Sequence, residues 1–185
     1  MARHMHEDVD DRAAAREEAY RYAHMLVALG EAKTAVDLMR GQVSRARTSL
    51  PPASPALFRT LSQYAEILES TDALAEAEFI RAEALEIVAS AQLPARDAVE
   101  AVLCYGVLLC KMHNYDGALA RLKDAVRRAE ELEGIGELER QLILARAWKS
   151  QAEAFEALGE FSQASNALDV LLSVKRSIRF IVFSP

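Results

Sequence analysis

The stretch from Ala101 to Val126 reads A-V-L-C-Y-G-V-L-L-C-K-M-H-N-Y-D-G-A-L-A-R-L-K-D-A-V. Apolar residues at Val102, Tyr105, Leu109 and Met112 recur at helical spacing. A polar turn at His113-Asn114 follows, and then a second periodic run through Leu119, Leu122 and Val126. The stretch predicts two antiparallel helices. Small residues stand where such a pair must touch, Gly106 on the first helix and Ala118 and Ala125 on the second. Glycine inside a helix costs about 1 kcal/mol relative to alanine, so Gly106 implies a close backbone approach that offsets the penalty.

The pattern returns along the chain. With Ala118 as anchor, equivalent alanines are Ala35, Ala77 and Ala164, at spacings of 42, 41 and 46 residues. Sixteen residues before each anchor lie Ala19, Leu61, Val102 and Trp148, and twelve before lie Ala23, Ala65, Gly106 and Ala152. Nine before come Leu26, Leu68, Leu109 and Phe155, and three before come Ala32, Leu74, Tyr115 and Phe161. Four copies in phase predict four helix-turn-helix repeats, about 12–47, 55–91, 96–132 and 137–176.

Two of the copies carry the fullest motif. They are Trp148, Ala152, Phe155, Gly159, Phe161, Ala164 and Leu168, and Tyr105, Gly106, Leu109, Tyr115, Ala118, Leu122 and Ala125. These residues resemble the tetratricopeptide repeat (TPR), whose basic period is about 34 residues. The longer period here adds roughly one turn to each helix. Together with the phrases T-L-S-Q-Y-A (60–65) and A-E-A-L-E-I (82–87), it looks like the kinesin light chain branch of that superfamily. The resemblance implies an all-α, right-handed α-solenoid of eight helices over residues 11–177, acting as a non-catalytic interaction scaffold.

Composition agrees with a helical chain: 51% of residues are hydrophobic, with only seven Gly and five Pro. The net charge of −6 argues against a general nucleic-acid surface, which needs clustered Lys and Arg. Cys104 and Cys110 lie six residues apart on one predicted helix, roughly 9 Å, which is beyond the reach of a disulfide. No secretory leader is apparent in the charged start of the chain, and no apolar tract is long enough to span a membrane. A cytoplasmic protein without cofactor or metal is the expectation.

Residues 1–10 are expected to be a disordered lead, with Asp10 or Asp11 capping the first helix and Gly30 ending it. Ser54-Pro55 reads as a cap followed by proline at the first helical position, and Thr71 or Asp72 as the cap of the fourth helix. Residues 178–185 form an apolar tail in which Ile178, Phe180, Ile181 and Phe183 need cover. Either a continued helix or a strand fits them.

The resemblance further implies that the first helix of each pair lines a concave groove. Its groove positions fall on Tyr20, His24 and Val27; on Arg59, Ser62, Gln63 and Glu66; on Leu103, Val107 and Cys110; and on Arg146, Lys149, Ser150 and Glu153. The third set is apolar and flanked by Arg59, Arg146 and Lys149, so the expected ligand is an extended or helical peptide with apolar anchors and some acidic residues. The alternative is that Leu103, Val107 and Cys110 turn into the core or lie beneath the chain's own tail.

Repeat proteins that grip a chaperone's terminal carboxylate use Lys, Asn and Arg across three repeats. The matching positions here hold Tyr20, His24, Gln63, Glu100 and Cys104, so that clamp is not expected. The Asn-rich groove of kinesin light chains is also missing, since Asn114 and Asn166 belong to a turn and a second helix. His24 and His113 stand apart from any nucleophile, and no phosphate loop or metal-ligand spacing occurs. Two further roles are weighed: self-association as a homodimer through the apolar tail, and a sensor domain for a peptide or metabolite.

Overall fold

The computed structural model describes the backbone of residues 2–90 and 93–183, and the side chains of 12–90 and 93–183. Among the described residues there are eight helices and no strand. They are α1 (Ala2–Ala28), α2 (Ala32–Ser49), α3 (Pro55–Ser70), α4 (Leu74–Ser90), α5 (Ala95–Lys111), α6 (Tyr115–Glu131), α7 (Glu137–Ala157) and α8 (Phe161–Phe183). The chain forms two compact units, residues 1–92 and 93–185, each made of two helix pairs. In the first, α1 packs on α2 and α3, and α3 on α2 and α4. In the second, α5 packs on α6 and α7, and α7 on α6 and α8.

The repeat register is set at the four turns inside the pairs. Five residues before each anchor alanine stand Gly30, Asp72, His113 and Gly159, and all four adopt positive φ, at 83°, 60°, 60° and 75°. Each turn then closes the preceding helix in the same way. The next amide reaches back five residues, from Glu31 to Leu26 O, Ala73 to Leu68 O, Asn114 to Leu109 O and Glu160 to Phe155 O, at 2.8–2.9 Å. This left-handed C-terminal motif satisfies carbonyls that a helix end otherwise leaves open. The anchors beyond it are sealed: Ala35, Ala77 and Ala118 are fully buried and Ala164 nearly so.

One expected cap is present: Ser54 Oγ accepts the Leu57 amide at 3.2 Å ahead of Pro55. Asn114, expected only as part of a turn, also caps α6, its Oδ1 accepting the Gly117 amide at 3.1 Å. Others differ. Asp72 is the left-handed turn residue rather than the α4 cap, and the Ala73 carbonyl takes the first amide bond, from Ala77. The backbone of α1 is helical back to Ala2 rather than starting at Asp10 or Asp11; no Gly or Pro interrupts residues 2–28. The 46-residue final spacing comes from α7, which at 21 residues is longer than α3 or α5. The apolar tail continues α8 to Phe183.

Gly106 has the role its neighbours imply. A Cβ added there would lie 2.9 Å from Leu122 Cγ and Cδ2 and 3.3 Å from Arg121 Cβ, and Leu122 is fully buried. Overpacking a core contact of this kind costs about 1–3 kcal/mol, whereas alanine in a helix returns about 1 kcal/mol. Because the clash falls on a branched carbon held inside the core, the packing loss dominates. Gly106→Ala should destabilise the second unit by up to about 2 kcal/mol, read as a lower urea midpoint with an unchanged slope.

Candidate functional site

The first helices of each unit carry a polar ladder. In the first unit α1 and α3 are joined by Tyr20, whose hydroxyl donates to Glu66 Oε2 at 2.6 Å, and by Gln63, whose amide donates to Glu17 Oε2 at 2.8 Å. His24 stands edge-on to Tyr20, with ring centroids 4.6 Å apart, and its Nε2 lies 4.0 Å from Glu66 Oε1. Burial, and then the hydrogen bond to Glu66, raise the Tyr20 phenol well above its ordinary value. Its proton therefore stays on oxygen and keeps donating. Tyr20, His24, Gln63 and Glu66 thus come together as one face, with Val27 and Ser62 half-buried beside it and Arg59 exposed on α3.

In the second unit α5 and α7 are joined by an ion pair between Glu100 and Arg146. Arg146 Nη2 also lies 3.5 Å from Cys104 Sγ, and Cys104 Sγ lies 3.5 Å from Glu100 Oε1. Lys149 pairs with Glu153 one turn along α7, at 3.6 Å, and Arg96 with Glu139 at 2.5 Å. Of the three cations expected to select an acidic ligand, Arg146 and Lys149 are each answered by a carboxylate, so this wall is mixed in charge rather than basic.

The apolar stripe expected on α5 is corrected. Leu103 is fully buried, and Val107 is half-buried. Cys110 is half-buried against the core cluster of Leu119, Ala152, Ala154, Phe155, Ala164 and Ala167, with its thiol donating to the Ser150 carbonyl at 3.7 Å. The cause is that α5 is covered by α6 and by α7 together, which buries Val99, Ala101, Val102, Leu103, Gly106, Leu108 and Leu109. Leu103 therefore belongs to the core, not to a groove. Burial, and then the Glu153 carboxylate, push the Cys110 thiol up to about 11, so at neutral pH it is protonated and poorly nucleophilic.

Two features of the first unit have no counterpart in the sequence reading. Arg81 and Glu69 form an ion pair between α4 and α3 at 2.8 Å, with side chains only 8% and 10% exposed. Arg40 of α2 donates to Glu76 Oε2 at 3.1 Å, and the Tyr64 hydroxyl donates to Glu76 Oε1. The Tyr64 phenol is pushed up to about 12, by burial and then by that bond; the same bond, followed by burial acting the other way and by Arg40, leaves Glu76 below its usual value. The sequence signal for the first is a charge, Arg81, at the offset where other repeats place Met39 and Leu122.

At the end of α8, Phe180 and Phe183 are 75% and 77% exposed, Ile181 is exposed and Ile178 half-buried. Among the described residues, no helix is long and apolar enough to cross a membrane and no group of three or more His, Cys, Asp or Glu side chains is placed to hold a metal ion.

No family model and no curated protein matches the sequence. Solved structures do match in fold. The nearly identical TPR-like repeats of a proposed kinesin light chain from Podosopora anserina align at a TM-score of 0.60 and 15% identity, over 94% of this chain and 99% of that one. BtubC (BKLC) from P. vanneervenii aligns at 0.61 and 16%, over 96% and 86%. A Rap protein complexed with Competence and Sporulation Factor aligns at 0.55 and 19%, over 87% of this chain and 52% of that one. The period, the four left-handed turns and these likenesses agree: the chain has the fold of the TPR-like helical repeat proteins.

Proposed function

We propose that the chain is a non-catalytic protein-interaction module, and that a partner segment lies along the first helices of its repeats. The observation that carries this reading is the polar ladder, Tyr20–Glu66 and Gln63–Glu17 in one unit and Glu100–Arg146 and Lys149–Glu153 in the other. The two ion pairs, Glu100–Arg146 and Lys149–Glu153, are exposed and of a kind that contributes about 0–1 kcal/mol each, so a partner's own charges exchange with them at little cost. The Rap protein, similar in fold, is seen complexed with Competence and Sporulation Factor, which supports a ligand-holding use of such a scaffold.

Recognition in this reading is charge-matched, with Arg59, Arg146 and Lys149 reading acidic groups and Glu66 and Glu153 reading basic ones. Leu103 has no part in it, and Val107 and Cys110 offer only half-buried edges. Selection from a displayed peptide library should give ligands that lose tenfold or more in affinity on Arg146→Glu with Lys149→Glu, or on Glu66→Arg. Selected ligands that bind all these variants as well as the original chain would remove the first-helix ladders as the site.

Self-association is a second reading, favoured by repeat equivalence. Leu168 and Leu172 of α8 match Met39 and Val43 of α2 and Leu122 and Val126 of α6, all buried where the next helix packs. In α8 they are 48% and 52% exposed, and with Ile178, Phe180, Ile181 and Phe183 they offer a second copy an apolar face. Light scattering should then give a mass above the monomer that Leu168→Glu with Leu172→Glu returns to monomer. A monomeric mass for the unaltered chain at high concentration removes this reading.

A further inference from the structure

The four repeats can be compared position by position, and one set of equivalents differs in chemistry. Arg40, Tyr64 and Glu76 in the first unit stand at +5, −13 and −1 from their anchors Ala35, Ala77 and Ala77. The same offsets from Ala118 and Ala164 give Lys123, Gln151 and Gln163 in the second unit. In the first unit the three side chains close on one another through the Glu76 carboxylate, which accepts from both Tyr64 and Arg40. In the second unit that carboxylate is replaced by an amide and the tyrosine by a shorter glutamine.

The result is a cleft. Lys123, Gln151 and Gln163 all line an opening of about 270 Å³ between α6, α7 and α8, together with Trp148, Phe155, Asn166, Ala167 and Val170. Gln151 is 1% exposed, and its Nε2 has no hydrogen-bond partner. A buried amide donor without an acceptor is rare in folded proteins and calls for an explanation. The Lys123 ammonium rests 5.4 Å from the Phe155 ring centroid and pairs with no carboxylate among the described residues. One Gln163 N–H is taken by Glu160 Oε2 at 2.7 Å, and the amide carries a second.

We propose that this cleft binds a small carboxylate-bearing ligand. The ligand's carboxylate takes the place that Glu76 fills in the first unit, accepting from Gln151 Nε2 and pairing with the Lys123 ammonium. Its apolar body lies against Trp148, Phe155 and Val170. The opening is at the small end of ligand pockets, which run about 300–1,000 Å³, so the body is about the size of one aromatic or branched side chain. A free organic acid and the terminal residue of a protein segment both present this chemistry. The site stands apart from the α5/α7 ladder and does not depend on it.

Trp148 is the chain's single tryptophan and lines the cleft, so its fluorescence reads occupancy directly. Two probe pairs separate the sources: 3-phenylpropionate against 3-phenylpropionamide, and a blocked pentapeptide ending in phenylalanine as free acid against its C-terminal amide. A saturable change is expected with at least one of the acids, and binding at least tenfold weaker with the matching amide. Saturation by phenylpropionate alone assigns the site to free acids, and by the peptide acid alone to a chain terminus. Lys123→Gln, at an exposed position, should weaken the acid at least tenfold with the melting temperature unchanged. If Gln151→Leu folds it should do the same; if it does not, Lys123→Gln decides.

A gain-of-closure variant completes the test. Gln163→Glu with Gln151→Tyr and Lys123→Arg rebuilds the first unit's triad, so it should abolish acid binding while the helical signal is retained. Arg146→Glu with Lys149→Glu should leave acid binding intact, which keeps this outcome separate from that of the α5/α7 ladder. The proposal is overturned if neither acid gives a saturable change, if acid and amide bind alike, or if Lys123→Gln binds as well as the original chain.

Discussion

Leu103→Asp will unfold the second unit. The side chain is fully buried on a helix covered by both α6 and α7. Removing a buried leucine side chain alone costs about 2–5 kcal/mol, and a carboxylate in its place adds the cost of desolvating a charge. The sum exceeds about 5 kcal/mol, a large share of the 5–15 kcal/mol that keeps a typical domain folded. Val107→Asp, one turn along and half-buried, should stay folded with a lowered midpoint. Far-ultraviolet circular dichroism with Trp148 emission reads both outcomes, since Trp148 lies in this unit. A Leu103→Asp chain that keeps native helicity and melting temperature would return Leu103 to the surface and revive it as a ligand anchor.

Arg81→Ala should cost the first unit about 3–5 kcal/mol. Both partners of the Arg81–Glu69 pair are withdrawn from water, and two guanidinium nitrogens, Nε and Nη2, reach the same carboxylate oxygen at 3.0 and 2.8 Å. Deleting the arginine removes both of these N–H donors and their charge from a carboxylate that stays buried, which is worse than deleting the pair. Arg81→Met together with Glu69→Leu should therefore lie within about 1 kcal/mol of the original chain or above it. A double-mutant cycle in urea gives the coupling directly. Additive single and double variants would mean that the pair, although buried, acts as two independent side chains.

The two predictions differ in what a reader of the chain had to work with. Leu103 occupies a position that the repeat assigns to the groove, and Leu at such a position suits a ligand anchor and a core residue equally well. Which one it is depends on how α7 sits against α5, and that contact joins residues more than 40 positions apart. Arg81 is harder still, because a charge inside a helix reads as solvated until its partner is found across the α3–α4 hairpin. The Lys123–Gln151–Gln163 set was legible in principle, since its offsets from Ala118 and Ala164 are plain in the sequence. Its meaning came only when the Arg40–Tyr64–Glu76 cluster was seen to be closed.

By itself the sequence determined the repeat, and through it the helices and their turns. A left-handed turn residue five positions before a small anchor is a local requirement: backbone sterics and the width of a helix contact act within a few residues, so they leave a mark at every period. Ser54-Pro55, Asn114 and Gly106 were readable for the same reason. Only the tertiary structure decided which face of α5 is covered, which charges are buried together, and which polar set stays open. Burial belongs to a residue and all its neighbours at once, and those neighbours come from helices that the period places in order without fixing their rotation.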